Sequence, residues 1–408
     1  MKKVIYVLLL TIFFNSLYSE TKLIPVINLS LLGGQNTFEG ETSGFSGYLD
    51  ANFSLGLRFS LSTTLLPILN LRYCGFKEVE ELLGGGTLYQ ETLDSLLVIK
   101  LIHKLPYEFS VKPKIVLKHQ AIKETKNETW ENGLYNYTRS ALGVEVSKDF
   151  NKRNILSSGI NFSKIIFPNY TSLSYEAQET FGAEYSINAG THPLDYNSIH
   201  FYIENEAKLT DKLTLKVSLN TNTKNFIEQN LVVDGPQYIE EKRKDQTVSL
   251  SFGISYLSTF FKNSASNIGI IFTLSSLNSN QNHFYIDPNY PKFIKDYYDY
   301  NSFKVTLPFS YIFMINEKPS ILSVTLTSER KNYPQRPLQD ENTGEFLEEK
   351  IYINYTNLSF SFEYKFTSNF SLKTIINLYA SKSNMQYEKF YKYNYNGGYY
   401  LLGINYKY

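Results

Sequence analysis

The chain has 408 residues, with 40 basic and 39 acidic side chains, a formal net charge of +1, and 16% aromatic residues. Near-neutrality argues against a dedicated nucleic-acid binder, and the single cysteine, Cys74, excludes an intramolecular disulfide. Such a length would ordinarily divide into two or three soluble domains, yet no stretch reads as a linker.

Residues 1–19 have the layout of a secretory leader: Lys2 and Lys3, an apolar run from Val4 to Phe14, then small or polar residues to Ser19. Leu17 and Ser19 stand three and one residues before a cut ahead of Glu20, and no cysteine for a lipid anchor lies nearby. Beyond the leader no apolar run approaches the roughly 20 residues of a spanning helix, and mean hydropathy is negative. Residues 20–408 read as one domain.

Alternation with a period of two recurs along that domain. Phe45, Leu49, Phe53, Leu55 and Leu57 form one row, with Ser46, Asp50, Asn52, Ser54 and Arg58 between them. Val248, Leu250, Phe252, Ile254 and Tyr256 alternate with Ser and Gly, and Leu358, Phe360, Phe362, Tyr364 and Phe366 do so with Ser, Glu and Lys. Successive strand residues point to opposite faces. Soluble strands average about 5–6 residues, whereas these keep the period for roughly 9–11 or more, as a tilted membrane strand requires.

Tight turns are expected at 149–153, 210–212, 316–319 and 367–369. Longer polar connections are expected at 34–44, 77–86, 124–133, 169–193, 227–245, 280–299, 332–349 and 385–396. Between them lie about sixteen strands, with fourteen to eighteen allowed: 23–33, 45–58, 64–76, 87–103, 107–123, 134–149, 154–168, 194–209, 212–226, 246–260, 266–279, 299–315, 319–331, 350–366, 370–384 and 396–408. Phe59, Phe150, Phe260, Phe313, Phe366, Phe370 and Tyr408 sit at the tight-turn ends, where interfacial aromatics belong.

In the final strand, Tyr400, Leu402, Ile404, Tyr406 and Tyr408 make an apolar row, and Gly403 lies on the opposite row. Gly403, Tyr406 and Tyr408 resemble the C-terminal signal of bacterial outer-membrane β-barrel proteins; Leu401 departs from the polar residue usual at its start. The resemblance implies an all-β, antiparallel up-and-down transmembrane barrel of porin-like kind, without pointing to a specific family. It implies short periplasmic turns, long extracellular loops, both termini in the periplasm, contact with outer-membrane lipid, and engagement of the barrel-assembly machinery through the last strand. A first strand starting close to the leader leaves no room for a plug domain.

If apolar rows face lipid, the alternate rows face a lumen rich in Ser, Thr, Asn and Gly, suited to water. Lys100, Lys112, Lys114, Lys118 and Arg139 fall on three consecutive strands, joined by Arg58 and Arg72 elsewhere, and outnumber Asp50, Glu145, Glu204, Glu206 and Glu363. Basic pore walls favour anions, although cross-strand pairing that only keeps the lumen wet is the stronger claim on these charges. The longest loop, carrying Glu176, Glu179, Glu184 and His192, is a candidate constriction, and a homo-oligomer is compatible with the sequence.

The expected function is passive diffusion of small hydrophilic solutes with mild anion preference. The alternative is a non-conducting surface barrel whose loops mediate adhesion or ligand binding. Enzyme chemistry is not expected: His192 with Asp195 and His283 with Asp287 lie near the rim, but no nucleophile motif, metal set or phosphate-binding glycine loop appears. No cofactor is expected.

Overall fold

The computed structural model describes residues 22–81, 86–171, 190–233, 237–259, 263–285, 292–389 and 391–408. The expected leader, Phe260, Asp287, Glu176, Glu179 and Glu184 lie outside the described residues.

Among the described residues twenty strands occur in chain order: β1 (Lys22–Phe38), β2 (Glu41–Arg58), β3 (Thr63–Cys74), β4 (Glu78–Glu81), β5 (Gly86–Tyr89), β6 (Glu91–Lys104), β7 (Phe109–Lys123), β8 (Tyr137–Phe150), β9 (Asn154–Ile166) and β10 (Tyr196–Lys208). They continue with β11 (Leu213–Val233), β12 (Gln237–Ser258), β13 (Ala265–Ser279), β14 (His283–Tyr285), β15 (Lys292–Ile294), β16 (Tyr300–Ile315), β17 (Lys318–Gln339), β18 (Phe346–Lys365), β19 (Phe370–Ser383) and β20 (Tyr395–Lys407). Sixteen close into one antiparallel barrel, each beside its sequence neighbour, while β4–β5 and β14–β15 form separate hairpins within loops. The sixteen barrel strands correspond one to one with the sixteen expected from alternation, most ends lying within a few residues and those of β1, β11, β12 and β17 running five to nine residues further.

Closure is made by β1 against β20, where Leu29, Leu31 and Gly33 stand opposite Tyr406, Ile404 and Leu402. Ile27 and Tyr408 exchange reciprocal backbone hydrogen bonds of 2.9 Å. The seam demands small residues: a side-chain carbon at Gly34 would lie 1.8 Å from the Tyr400 carbonyl oxygen, and one at Gly403 would lie 2.1 Å from that of Leu31.

The alternation resolves into two faces. On β20, Leu402 (54% exposed) and Ile404 (51%) look outward, while Leu401 and Asn405 (1% each) are buried inside. Leu31, Leu142, Phe162, Leu250, Leu274, Phe303 and Leu378 continue the apolar exterior around the barrel. An apolar belt on a closed barrel with a polar interior is the outer-membrane architecture, because lipid tolerates no unpaired backbone edge. Near the tight turns, Phe370 packs between Phe366 (6.2 Å) and Tyr406 (4.9 Å), and Tyr311 stacks on Phe313.

Three of the tight turns share a backbone solution. Tyr107–Glu108, Asn151–Lys152 and Asn316–Glu317 each place two consecutive residues at positive φ, the geometry whose twist matches a two-residue hairpin. The opposite end departs from expectation. Segments 34–44, 227–245 and 332–349, expected as loops, are largely ladder: β1 and β2 pair up to Phe38 and Glu41, β11 and β12 up to Val233 and Gln237, and β17 and β18 up to Gln339 and Phe346. Charge keeps those residues out of lipid, but it does not prevent strand pairing beyond the membrane. Bulges interrupt the extensions, one of them where Pro334 and Pro337 cannot donate to the ladder.

Substituting Gly403 by Val is expected to destabilise the seam by about 1–3 kcal/mol, lowering the temperature at which the compact form is lost on a heat-modifiability gel. Gly47→Ala, whose added carbon meets only the Tyr73 ring at 3.6 Å, serves as control. Equal melting of the two variants would contradict the seam's crowding.

Candidate functional site

Antiparallel register places five of the seven basic wall residues in one sector. Lys100 on β6 stands opposite Lys114 on β7, and Lys112, Lys114 and Lys118 stand opposite Glu145, Gly143 and Arg139 on β8. Glu145 is the hub: Lys112 Nζ donates to it at 2.6 Å, Lys100 Nζ lies 3.6 Å away, and the Tyr202 hydroxyl donates at 2.7 Å. Tyr202 reaches from β10 across β9 because Gly159 has no side chain; a carbon there would sit 2.5 Å from the Tyr202 ring. Lys118 pairs with Asp94 at 3.3 Å.

Two cations of the sector have no carboxylate within ion-pair distance among the described residues. Arg139 directs Nε and Nη2 to the Ser163 hydroxyl, at 3.3 and 3.1 Å, and Lys114 lies 5.9 Å from the Tyr202 ring centre. Five cations therefore face two carboxylates, Glu145 and Asp94. Arg72 is apart from them on β3, opposite Asp50 and Asp94 in the ladder and over the Tyr48 ring. Arg58 is apart too, at the turn end of β2, with Nε on the Ser60 carbonyl. On other walls two lysines are matched singly, Lys216 with Glu204 at 2.8 Å and Lys304 with Glu329 at 3.8 Å.

Toward the long-loop end of the sector a recess of about 610 Å³ opens between β8 and β12. Arg139, His200, Asn220, Asn222, Tyr137 and Tyr196 line it. His200 meets the Asn161 amide through Nδ1 at 3.3 Å, and Lys224 lies 5.0 Å over the Tyr196 ring. Asn222 Oδ1 is buried with no hydrogen-bond partner among the described residues.

Above this wall, aromatic side chains from the loops pack the mouth. Tyr297 and Tyr298, edge to face at 5.2 Å, hold two buried arginines: Arg336 lies 4.2 Å from Tyr297 and 3.9 Å from Tyr333, and Arg243 lies 4.0 Å from Tyr298 and 4.7 Å from Phe226. Arg243 also forks onto Asp245 at 2.9 and 2.8 Å. The described C-terminal part of the 280–299 connection, expected as solvated loop, is thus fastened into the mouth by the β12 and β17 extensions. Tyr135, Tyr170 and Tyr391 come from three other connections. Burial raises the pKa of each, and neighbouring phenols reinforce the shift in Tyr170 and Tyr391. His283 stacks on Tyr297 at 4.5 Å; enclosure of its ring, and behind that the Arg336 charge, lower its pKa to about 4.

Other candidates have structural occupations. His192 bonds Glu228 through its backbone N–H and meets the Tyr170 carbonyl through Nδ1, while Asp195 accepts the Phe167 N–H at 2.7 Å. The described end of the candidate constriction loop is therefore held at the base of β10 and β11. At the C-terminus, Gly403 lies in the crowded seam, Tyr406 packs on Phe370, and Tyr408 is exposed. The residues missed from sequence are Arg243, Arg336 and the mouth tyrosines. Their only sequence signal is the density of Tyr in polar connections, as in 297–300 and 391–395.

No protein-family model matches the chain, and no curated protein matches it. Among solved structures, the chain is similar to a bacterial polysaccharide outer membrane secretin, at 8% identity and TM-score 0.45, covering 94% of this chain and 98% of that one. It is similar to OmpT, an outer membrane protein of Vibrio cholerae, at 10% identity and TM-score 0.46, covering 95% and 98%. It is also similar to the Pseudomonas putida toluene transporter TodX, at 10% identity and TM-score 0.34, covering 96% and 90%. The closed ladder and the apolar belt, rather than these distant likenesses, mark the chain as a membrane barrel.

Proposed function

We propose that the barrel is a water-filled diffusion channel for small hydrophilic solutes, preferring anions, with its entrance narrowed by the tyrosine-packed loops. It acts in the bacterial outer membrane after loss of residues 1–19, with both termini periplasmic and the last strand presenting Gly403, Tyr406 and Tyr408 for assembly. The observation that carries the reading is the solvation of inward charges: Lys216 is 52% exposed and its partner Glu204 39% exposed, although both point into the barrel. Side chains inside a packed barrel would not be so open to water. Anion preference follows from the excess of cations over carboxylates on β6–β8, since a fixed charge excess in a narrow aqueous path concentrates the opposite ion.

The packed mouth favours a second reading, in which the loops close the lumen and serve as a surface for ligands or neighbouring cells. Planar-bilayer recording separates the two. Ohmic steps with an anion-selective reversal potential under a salt gradient are expected, and Lys114→Gln with Arg139→Gln should roughly halve that potential. Cation selectivity would overturn the basic wall, and a folded barrel without current would favour the surface reading.

The mouth should respond to acid. His283 titrates near 6.5 when free and near 4 when packed, so a released loop binds a proton that the packed loop refuses. The packing contribution is complete above about pH 6.5 and is lost as pH falls toward 4. Lowering pH from 7 to 4.5 is expected to enlarge or destabilise the conductance steps, and His283→Phe should remove that His-linked part. An identical acid response in the variant would contradict the assignment.

A further inference from the structure

We infer that the recess between β8 and β12 is a subsite for a carboxylated sugar, a uronate or aldonate carrying one negative charge. The inference rests on the proposed channel reading and gives it a substrate class. Three observations on one wall converge on this chemistry.

The first is a single directional cation. Arg139 uses Nε and Nη2 on one neutral hydroxyl, and no carboxylate of the described residues lies within ion-pair distance of it. A guanidinium matches the planar two-oxygen geometry of a carboxylate. Lys112 and Lys118, by contrast, are committed to Glu145 and Asp94, and Lys114 faces the Tyr202 ring and does not line the recess. One available fork suits a monoanion better than a doubly charged phosphate ester.

The second is a polar surface out of proportion to one charge. Beside Arg139 lie the amides of Asn220 and Asn222 and the imidazole of His200. Asn222 Oδ1 is buried without a partner among the described residues, a costly state that a turn of its amide toward the recess would relieve by accepting from a ligand hydroxyl. A bare inorganic anion has no use for such acceptors, whereas a polyhydroxylated solute does.

The third is the aromatic edge formed by Tyr137 and Tyr196. The Tyr196 ring packs on Phe226 at 5.4 Å and carries Lys224 on its face, so it is held in place. An aromatic edge beside amide donors offers a sugar ring apolar contact for its C–H groups and hydrogen bonds for its hydroxyls. The recess, at about 610 Å³, lies within the roughly 300–1,000 Å³ typical of small-molecule sites.

The test is calorimetric titration of the full-length mature barrel, folded in detergent, with galacturonate, galactose, acetate and inorganic phosphate. Parallel recordings in planar bilayers measure current blockade by the same solutes. Saturable galacturonate binding is expected, with galactose, acetate and phosphate each at least tenfold weaker. Arg139→Gln should weaken galacturonate binding roughly tenfold or more, and Asn222→Ala should weaken it several-fold. Ser359→Ala, on a distant wall, should leave it unchanged; heat-modifiability confirms that each variant folds.

Equal binding of galactose would overturn the carboxylate requirement, and equal binding of acetate or phosphate would overturn the sugar requirement. No binding by a barrel that conducts would overturn the subsite while leaving the channel standing. Binding by a barrel that does not conduct would support the subsite and remove the channel.

Discussion

Everything in this molecule depends on closing one hydrogen-bonded ladder. A strand in hydrocarbon cannot leave its N–H and C=O groups unpaired, so the last strand must meet the first. Here that junction is β1 against β20, and it fits because Gly34 and Gly403 bring backbone where side chains would collide. Once the ladder closes, the period-two alternation of every strand acquires a global meaning. One row becomes lipid surface and the other becomes lumen wall.

The lumen wall then obeys a different physics from the exterior. Charges drawn from strands distant in sequence are brought within reach, and they sort into compensated and uncompensated sectors. Glu204 and Glu329 neutralise single lysines, whereas Glu145 is shared by Lys100 and Lys112 and stabilised further by Tyr202. The remaining cations on β6–β8 leave one side of the lumen wall polarised. At the mouth the balance shifts from charge to aromatic packing. Arg243 and Arg336 are buried there against tyrosine faces, an arrangement in which the ring quadrupole offsets part of the lost hydration.

Much of the architecture was legible in the sequence because alternation is a local property. The rows around Leu250 and Leu358 identify membrane strands without any long-range information, as do Gly403, Leu402 and Ile404. The extended hairpins were not legible, because residues 227–245 and 332–349 are charged and their pairing rests on backbone bonds that composition does not report. The basic residues could be named, but not their partners. That Tyr202 reaches Glu145 depends on Gly159 in the strand between them, and that Tyr298 finds Arg243 depends on a loop turning inward. Such contacts exist only once the barrel is closed.

The central claim is that one face of each strand meets lipid and the other meets water. It is tested most directly by cysteine accessibility on β18, in a Cys74→Ala background and in lipid vesicles. Ser359→Cys is expected to react with a charged, membrane-impermeant thiol reagent, while Leu358→Cys stays protected. Reaction at Leu358→Cys with protection at Ser359→Cys would invert the faces, and protection at both would mean that no continuous water path reaches the lumen wall.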